Sequence, residues 1–214
     1  MNRKWMIAVV LAAVTLAACG EKPIDAVYNH LEAAVDLEDP FIKQQEPLQK
    51  AELKENELFE KIVSLGMDDA EQIDKLAEEA LTSIEERVSL IEKEKESIEA
   101  SKGEFAQVKE QLELFDKETG KILNELIDYM NVRYDHYTTL YNNYAEAIKR
   151  DRTLFEMFKD QEGTLEELQA QIDLVNESYE KVAEAKKQFN RSTNLYNDKK
   201  KSFYEAMDLQ VHYQ

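Results

Sequence analysis

Cysteine is almost absent from this 214-residue sequence, since Cys19 is the only one. A lone cysteine cannot form an intramolecular disulfide, so the fold must be held by its core. Glycine and proline are scarce as well, with 5 and 3 residues, and Pro47 is the last proline. Both residue types interrupt regular elements, so their scarcity favours long helices. The alternating pattern of a β-strand is missing, and the sequence therefore predicts an all-α fold.

Positive charge is in short supply too. The chain has 27 lysines and arginines against 45 aspartates and glutamates, which gives a net charge of −18. A chain this acidic is repelled by polyanions, which excludes nucleic acid as a partner and disfavours an anionic bilayer as a broad one.

Catalytic patterns are missing as well. His30, His136 and His212 lie far apart in the chain, and none has a carboxylate at the i, i+3 spacing of helical metal sites. The sequence has no glycine-rich phosphate loop and no serine or cysteine in a recognisable nucleophile setting. These absences predict a protein that is not an enzyme and that holds no metal and no cofactor.

Long hydrophobic runs are missing apart from one at the N-terminus. Arg3 and Lys4 precede an uncharged run of 16 residues from Trp5 to Gly20. A membrane-spanning helix needs about 20 apolar residues, so this run is too short for a permanent span. A basic start, a short apolar run and small residues at its end are typical of a secretory signal peptide.

The signal ends in Leu16-Ala17-Ala18-Cys19-Gly20, which resembles the lipobox of bacterial lipoproteins. The small residues fit a narrow protease cleft, and the Cys19 sulfur would carry a diacylglyceryl group before cleavage. Two or more acyl chains anchor a protein stably, at about 0.8 kcal/mol per buried methylene. This interpretation makes residues 1–18 the signal peptide, Cys19 the lipidation site and the extracytoplasmic face of the cell membrane the location. An ordinary secretory signal, with Cys19 a bystander, is the alternative.

Residues 19–47 are predicted to be a tether with one short helix. Apolar residues follow Pro23 at helical spacing, and Asp39-Pro40 should end that helix. A second amphipathic stretch runs from Leu48 to Leu65, with Gly66 as its expected C-cap.

Residues 48–214 are predicted to be an elongated helical bundle. In the first of three long segments, apolar residues recur every seven positions, with Leu81, Val88, Val108 and Phe115 as expected core partners. The seven-residue set is Ala77, Ile84, Ile91, Ile98, Phe105 and Leu112. Two similar segments follow Gly120 and Gly163, and Thr164 with Glu167 predicts a capping box. We expect an antiparallel bundle of three long coiled-coil-like helices, each about 60–75 Å long, with shorter N-terminal helices.

Tyrosines cluster in the middle segment, at Tyr134, Tyr137, Tyr141 and Tyr144. Folding the segments about Gly120 and Gly163 places them level with the polar stretch 94–102. A tyrosine ring fills core volume while its hydroxyl needs a hydrogen-bond partner. The cluster therefore predicts a polar layer that sets the register of the helices. The alternative is a groove in which the rings hold a sugar or a peptide.

Basic residues concentrate between positions 181 and 201, against the acidic background. Pairing with acidic neighbours inside the bundle is one interpretation, and contact with an anionic polymer is the other. Lys186 and Lys200 occupy core-type positions of the repeat, so we expect them to point outward along their stems or to pair. The candidate contact residues are Lys181, Lys187, Arg191, Lys199 and Lys201.

The lipobox at 16–19, the proline-bearing stretch to Pro47 and the long helices together resemble the YkyA-type cell-wall-binding lipoproteins of Gram-positive bacteria. The resemblance implies an all-helical, membrane-anchored protein that faces the cell wall and has no assigned enzymatic activity. It carries over one functional residue, Cys19. The leading hypothesis is a non-enzymatic spacer that touches wall polymer or envelope proteins. The alternative is a ligand-binding or chaperone-like lipoprotein that uses the tyrosine groove.

Overall fold

The computed structural model describes residues 22–65, 69–160 and 163–209. These ranges are helical and contain no strand. The predicted cleavage site, Cys19 and the Gly66 cap lie outside the described residues. The helices are α1 Pro23–Asp36, α2 Asp39–Leu65, α3 Ala70–Glu110, α4 Lys117–Lys159 and α5 Leu165–Ala206, with a 3-10 turn at Leu112–Leu114.

The three long helices α3, α4 and α5 have 41, 43 and 42 residues, or about 60–65 Å each. Side-chain contacts show that neighbours run in opposite directions. Along α3 and α4, Ser101 bonds Tyr134 whereas the earlier Arg87 bonds the later Asp151. Helices α4 and α5 are antiparallel too, since Arg133 bonds Thr193 whereas the later Asp151 bonds the earlier Tyr179. The predicted elongated, antiparallel, all-α bundle is confirmed.

Helices α1 and α2 take a fourth place in the bundle. They follow one another along α3 in the opposite direction, so that His30 meets Glu104 and, further on, Arg87 meets Glu55. They also touch α5, where Phe41 packs on Phe189 with ring centroids 5.9 Å apart. The molecule is therefore an elongated four-helix bundle in which α1 and α2 together form the fourth helix, with one break between them.

This arrangement differs from the expected tether over residues 19–47. Val27, Leu31 and Ala34 of α1 are fully buried in the core. Helix α2 starts at Asp39 and continues through Pro47 instead of starting at Leu48. Pro47 is exposed, so water can satisfy the carbonyl that lacks its helical N–H partner. Helix α1 ends at Asp36, before the expected stop at Asp39-Pro40. Asp39 is helical, and Pro40 lies in the first turn of α2, where a proline is tolerated.

The core of α3 follows the predicted seven-residue repeat through Ile84, Ile91 and Ile98, which are buried. The second core position differs from the prediction at Leu81 and Val88 and agrees with it at Val108, which is buried. Arg87 is buried there, whereas Val88 beside it is only half-buried. The full set at this position is Ala80, Arg87, Glu94, Ser101 and Val108. Polar side chains therefore occupy three consecutive core layers of the rod.

The two ends of the rod are built differently. At the basal end, Ile24, Leu112, Phe115 and Met207 pack against one cluster, so the start of α1, the α3–α4 connection and the end of α5 lie together. At the distal end, where α2 meets α3 and α4 meets α5, α5 starts with the predicted capping box. Thr164 accepts from the backbone N–H of Glu167, whose side chain bonds back. That prediction is confirmed.

Candidate functional site

The exposed face of α5 carries three cations on the middle of the rod. Lys186, Lys187 and Arg191 are exposed and line a shallow open hollow of about 580 Å³ together with Asn190 and Asn194. With the residues that the structure describes, none of the three forms an ion pair within 4.0 Å. We call Lys186, Lys187 and Arg191 the α5 surface. Lys186 points outward, as its core-type position and long stem predict.

The other basic residues of this stretch are divided. Lys181 pairs with Glu177 one turn away at 2.7 Å. Lys199 lies 3.5 Å from Glu125. Lys201 is exposed near the basal end, about 20 Å along the helix from the α5 surface.

Lys200, at the second core-type position, is mostly buried and pairs with Glu32 of α1 at 2.7 Å. The basic stretch is thus partly an internal pairing element and partly a free surface. The sequence left both interpretations open.

Tyr134 and Tyr137 lie inside the core. The Tyr137 ring packs on Phe41 and Phe189, with centroids 5.9 and 5.7 Å away. The Tyr134 hydroxyl lies 3.0 Å from Ser101 Oγ. These two rings fill volume between helices, as a structural polar layer requires.

Tyr141 and Tyr144 are half-buried, and their hydroxyls donate to glutamates of neighbouring helices. Tyr141 bonds Glu92 of α3, and Tyr144 bonds Glu52 of α2. The four tyrosines therefore lie level with the polar middle of α3, where folding about Gly120 places them. The hydroxyls of Tyr134, Tyr141 and Tyr144 are hydrogen-bonded to side chains, whereas the Tyr137 hydroxyl has no hydrogen-bond partner among the described residues.

Arg87 forms the first of two buried ionic clusters. Its guanidinium is 1% exposed and donates to Glu55 Oε2 at 2.5 Å and to Asp151 Oδ2 at 2.8 Å. It also donates to the Tyr179 hydroxyl at 2.7 Å, and it lies 5.1 Å from the centroid of the Tyr144 ring. The cluster thus joins α2, α3, α4 and α5 in one layer.

Burial raises the pKa of both carboxyl groups in this cluster, although Arg87 opposes the rise at Glu55 and at Asp151. Taking such charges out of water is costly and is repaid only by close pairing. The Arg87 cluster is therefore better suited to fixing the register of the four helices than to adding net stability.

Arg133 forms the second cluster, nearer the basal end. Its Nη1 donates to Glu38 Oε1 at 2.7 Å, and its Nε donates to Thr193 at 3.0 Å. Ser101 donates to the same Glu38 oxygen at 2.9 Å. Glu38 lies in the short link between α1 and α2, so this cluster holds the break of the fourth helix against α3, α4 and α5.

Between the clusters, Glu94 is 8% exposed and accepts a hydrogen bond from Gln45. Burial raises its pKa to about 8, although that bond and the nearby Lys186 oppose the rise. Glu94 was recognised in the sequence as a poor core residue. Arg87, Arg133, Glu38 and Glu55 were not recognised, and the only signal was Asp151, an acid at a core position of α4.

Residues able to hold a metal ion do not come together in the part of the chain that the structure describes, where no group of three such side chains is found. His30 contacts Glu104 at 2.7 Å, and His136 lies on another helix. His212 lies outside the described ranges. Over those same ranges, no helix is both long and apolar enough to span a membrane.

Comparison with known proteins gives three findings. Residues 22–206 match the profile of the YkyA family, whose description reads "Putative cell-wall binding lipoprotein". A Bacillus subtilis (strain 168) protein named "Uncharacterized lipoprotein YkyA" is 33% identical over 201 residues, which cover 93% of this chain and 90% of that one. A crystal structure of a conserved Staphylococcus aureus protein of unknown function has a TM-score of 0.58 at 18% identity. It covers 86% of this chain and 96% of that one, and the likeness concerns the fold alone.

Proposed function

The chain belongs to the YkyA lipoprotein family, and from this we propose that it is a non-enzymatic rod, anchored outside the cell membrane through Cys19, whose α5 surface contacts an anionic wall polymer. The observation that carries the proposal is the group of three exposed cations without an ion pair to a described residue, on an otherwise acidic molecule. The family description names wall binding and leaves the contact open.

Electrostatics limits where such a contact forms. Removal of residues 1–18 takes away Arg3 and Lys4 and no acid, which changes the net charge from −18 to −20. The whole rod then repels a polyanion at long range. Attraction operates only within about a Debye length of exposed cations, or about 8 Å at physiological salt. The α5 surface meets that condition because its three cations are exposed and none forms an ion pair with a described residue.

The asparagines beside the cations add uncharged donors and acceptors. Asn190 and Asn194 lie in the same shallow hollow as Lys187 and Arg191. An open, elongated surface of this kind suits a flexible chain with repeated anionic groups better than a small ligand, which needs an enclosing pocket.

The tyrosine groove is the second hypothesis, and it has less support. The rings of Tyr134 and Tyr137 pack against phenylalanines. The hydroxyls of Tyr141 and Tyr144 donate to glutamates. We therefore propose a structural role for this layer and assign no ligand to it.

The test is sedimentation of the mature chain, made soluble by Cys19→Ser, with purified cell walls. Lys187→Glu/Arg191→Glu is compared with Lys54→Glu/Lys61→Glu, which changes net charge equally at exposed positions of α2. We expect retention to fall several-fold in the α5 variant and to change little in the control. Retention of the parent chain should also fall at about 0.5 M salt. Equal losses in both variants, or retention that ignores salt, would show that the α5 surface is not the contact.

A further inference from the structure

The basal end of the rod lies within a few residues of the predicted anchor at Cys19. Only Gly20 and Glu21 lie between Cys19 and Lys22, and α1 starts at Pro23. Four residues of fully extended chain span about 14 Å at most. Val27, one turn into α1, is already fully buried in the core. The molecule therefore has no long tether that would lift the bundle away from a lipid attached at Cys19.

The α3–α4 connection at this end presents an apolar side chain outward. Leu114 is 62% exposed, whereas Leu112 and Phe115 on either side pack against the basal cluster. Met207 and Leu209, at the end of α5, pack against the same cluster. The end that the predicted anchor holds near the bilayer thus has apolar residues packed beneath its surface. Leu114 projects from it among the exposed charged residues Glu113, Asp116, Lys117 and Glu118.

We propose that the basal end rests on the lipid bilayer with Leu114 in the headgroup region, so that the rod stands upright on the membrane. The proposal rests on the lipid anchor of the proposed function and adds the surface that touches lipid. Burying one leucine is too weak an interaction to recruit a free protein. It is enough to orient a protein that is already held at the surface by its acyl chains.

The upright orientation also separates the two contact surfaces. Arg191 lies 15 residues before the end of α5, or about 22 Å above the basal end. That height exceeds the Debye length at physiological salt, so lipid headgroup charges do not reach the α5 surface. The competing arrangement is a rod that lies flat, with the α5 surface against anionic headgroups.

The test uses thiol labelling of the lipidated chain. Lipidation occupies the sulfur of Cys19, so a cysteine introduced elsewhere is the only free thiol. Glu113→Cys reports the basal end and keeps the neighbouring Leu114 in place, and Leu165→Cys reports the distal end. Both labelled positions are exposed. Lys187→Cys reports the α5 surface. Each variant is labelled with a fluorophore and reconstituted into vesicles, with and without anionic lipid, that contain a quencher attached to the headgroup.

We expect quenching of the label at position 113 to exceed that of the labels at positions 165 and 187 several-fold in both vesicle types. Equal quenching at positions 113 and 187 would show a flat rod and overturn the proposal. Vesicle-bound protein without quenching at position 113 would overturn it as well, while leaving the lipid anchor intact. A chain that fails to float with the vesicles would overturn the anchor itself, and the basal contact with it.

Discussion

Arg87 of α3 donates to Asp151 of α4 at 2.8 Å, across 64 positions of the chain. The two side chains lie in the core and are completed by Glu55 of α2 and Tyr179 of α5. A shift of either helix by one turn would move a buried charge about 5 Å from its partner. The pair therefore penalises the slipped registers that a coiled-coil-like repeat otherwise allows.

Removing Arg87 should be strongly destabilising. In Arg87→Met, two carboxyl groups stay buried without their cation, and we expect the free energy of unfolding to fall by about 3–5 kcal/mol. Urea unfolding followed by circular dichroism measures this. Arg152→Met is the control, because Arg152 pairs with Glu85 at the surface and its loss should cost less than about 1 kcal/mol. Equal losses in both variants would contradict the assignment of a buried cluster.

Glu94 should make stability depend on pH. Its pKa is raised to about 8 by burial, so the folded chain binds a proton that the unfolded chain releases at about pH 4.5. Stability from this group is fully present below about pH 4.5 and is lost as pH rises through about 8.

Glu94→Gln cannot lose that proton. Its free energy of unfolding should therefore exceed that of the parent chain increasingly between about pH 5 and pH 8, reaching a few kcal/mol. Denaturant melts across this range provide the measurement. Glu57→Gln, at an exposed position of α2, should leave the curve parallel to that of the parent chain. A constant difference between Glu94→Gln and the parent would argue against the raised pKa.

Tyr134 and Tyr137 should respond oppositely to loss of the hydroxyl. Tyr137 OH is buried and has no hydrogen-bond partner among the described residues, so Tyr137→Phe should be neutral or stabilising by about 1 kcal/mol. Tyr134→Phe loses the bond to Ser101 and should cost about 1 kcal/mol. Urea melts of the two variants side by side decide the point. A clear loss in Tyr137→Phe would indicate that its hydroxyl has a partner such as bound water.

Gly103 offers a stabilising substitution. It lies inside α3, and a Cβ built on it meets nothing within 4 Å. Gly103→Ala should therefore add about 1 kcal/mol, because alanine loses less conformational entropy in a helix. Thermal unfolding should show a higher midpoint. An unchanged or lower midpoint would mean that the helix bends at this residue in solution.

Cys19→Ala should leave the chain unlipidated and uncleaved, because the modified sulfur is what the signal peptidase acts on. Detergent phase partitioning and mass spectrometry measure both properties. A variant that is processed normally and stays in the membrane fraction would contradict the lipid anchor.

Local patterns predicted much of the fold, because each depends on residues close together in the chain. The capping box at Thr164 is set by four consecutive positions, and the Ile84–Ile91–Ile98 stripe by one helix. The level of the tyrosine layer followed from folding the segments about Gly120 and Gly163, although Gly120 lies in the first turn of α4 and the connection before it contains no glycine.

What the sequence did not predict depends on contacts between helices. Arg87 and Val88 are adjacent, and a rotation of α3 by part of a turn decides which one enters the core. Hydrophobicity favours Val88, whereas three partners from three other helices bury Arg87. The short helix after Pro23 was predicted, but its place in the bundle was not, because a helix of 14 residues carries few core positions and is marginal in isolation. Its stability comes from packing on α3 and α5.

The direct start of α1 after the anchor has a mechanical consequence. In the proposed arrangement, with a lipid at Cys19 and the α5 surface bound to the wall, tension between the two attachments enters at Pro23 and runs along the axis of α1. The contacts of that helix lie side by side along the loaded direction, including His30 with Glu104 and Glu32 with Lys200, each at 2.7 Å. They are loaded in shear and share the force instead of peeling one after another. In that proposed arrangement, helix α1 is the coupling through which mechanical load passes between the membrane and the rest of the rod.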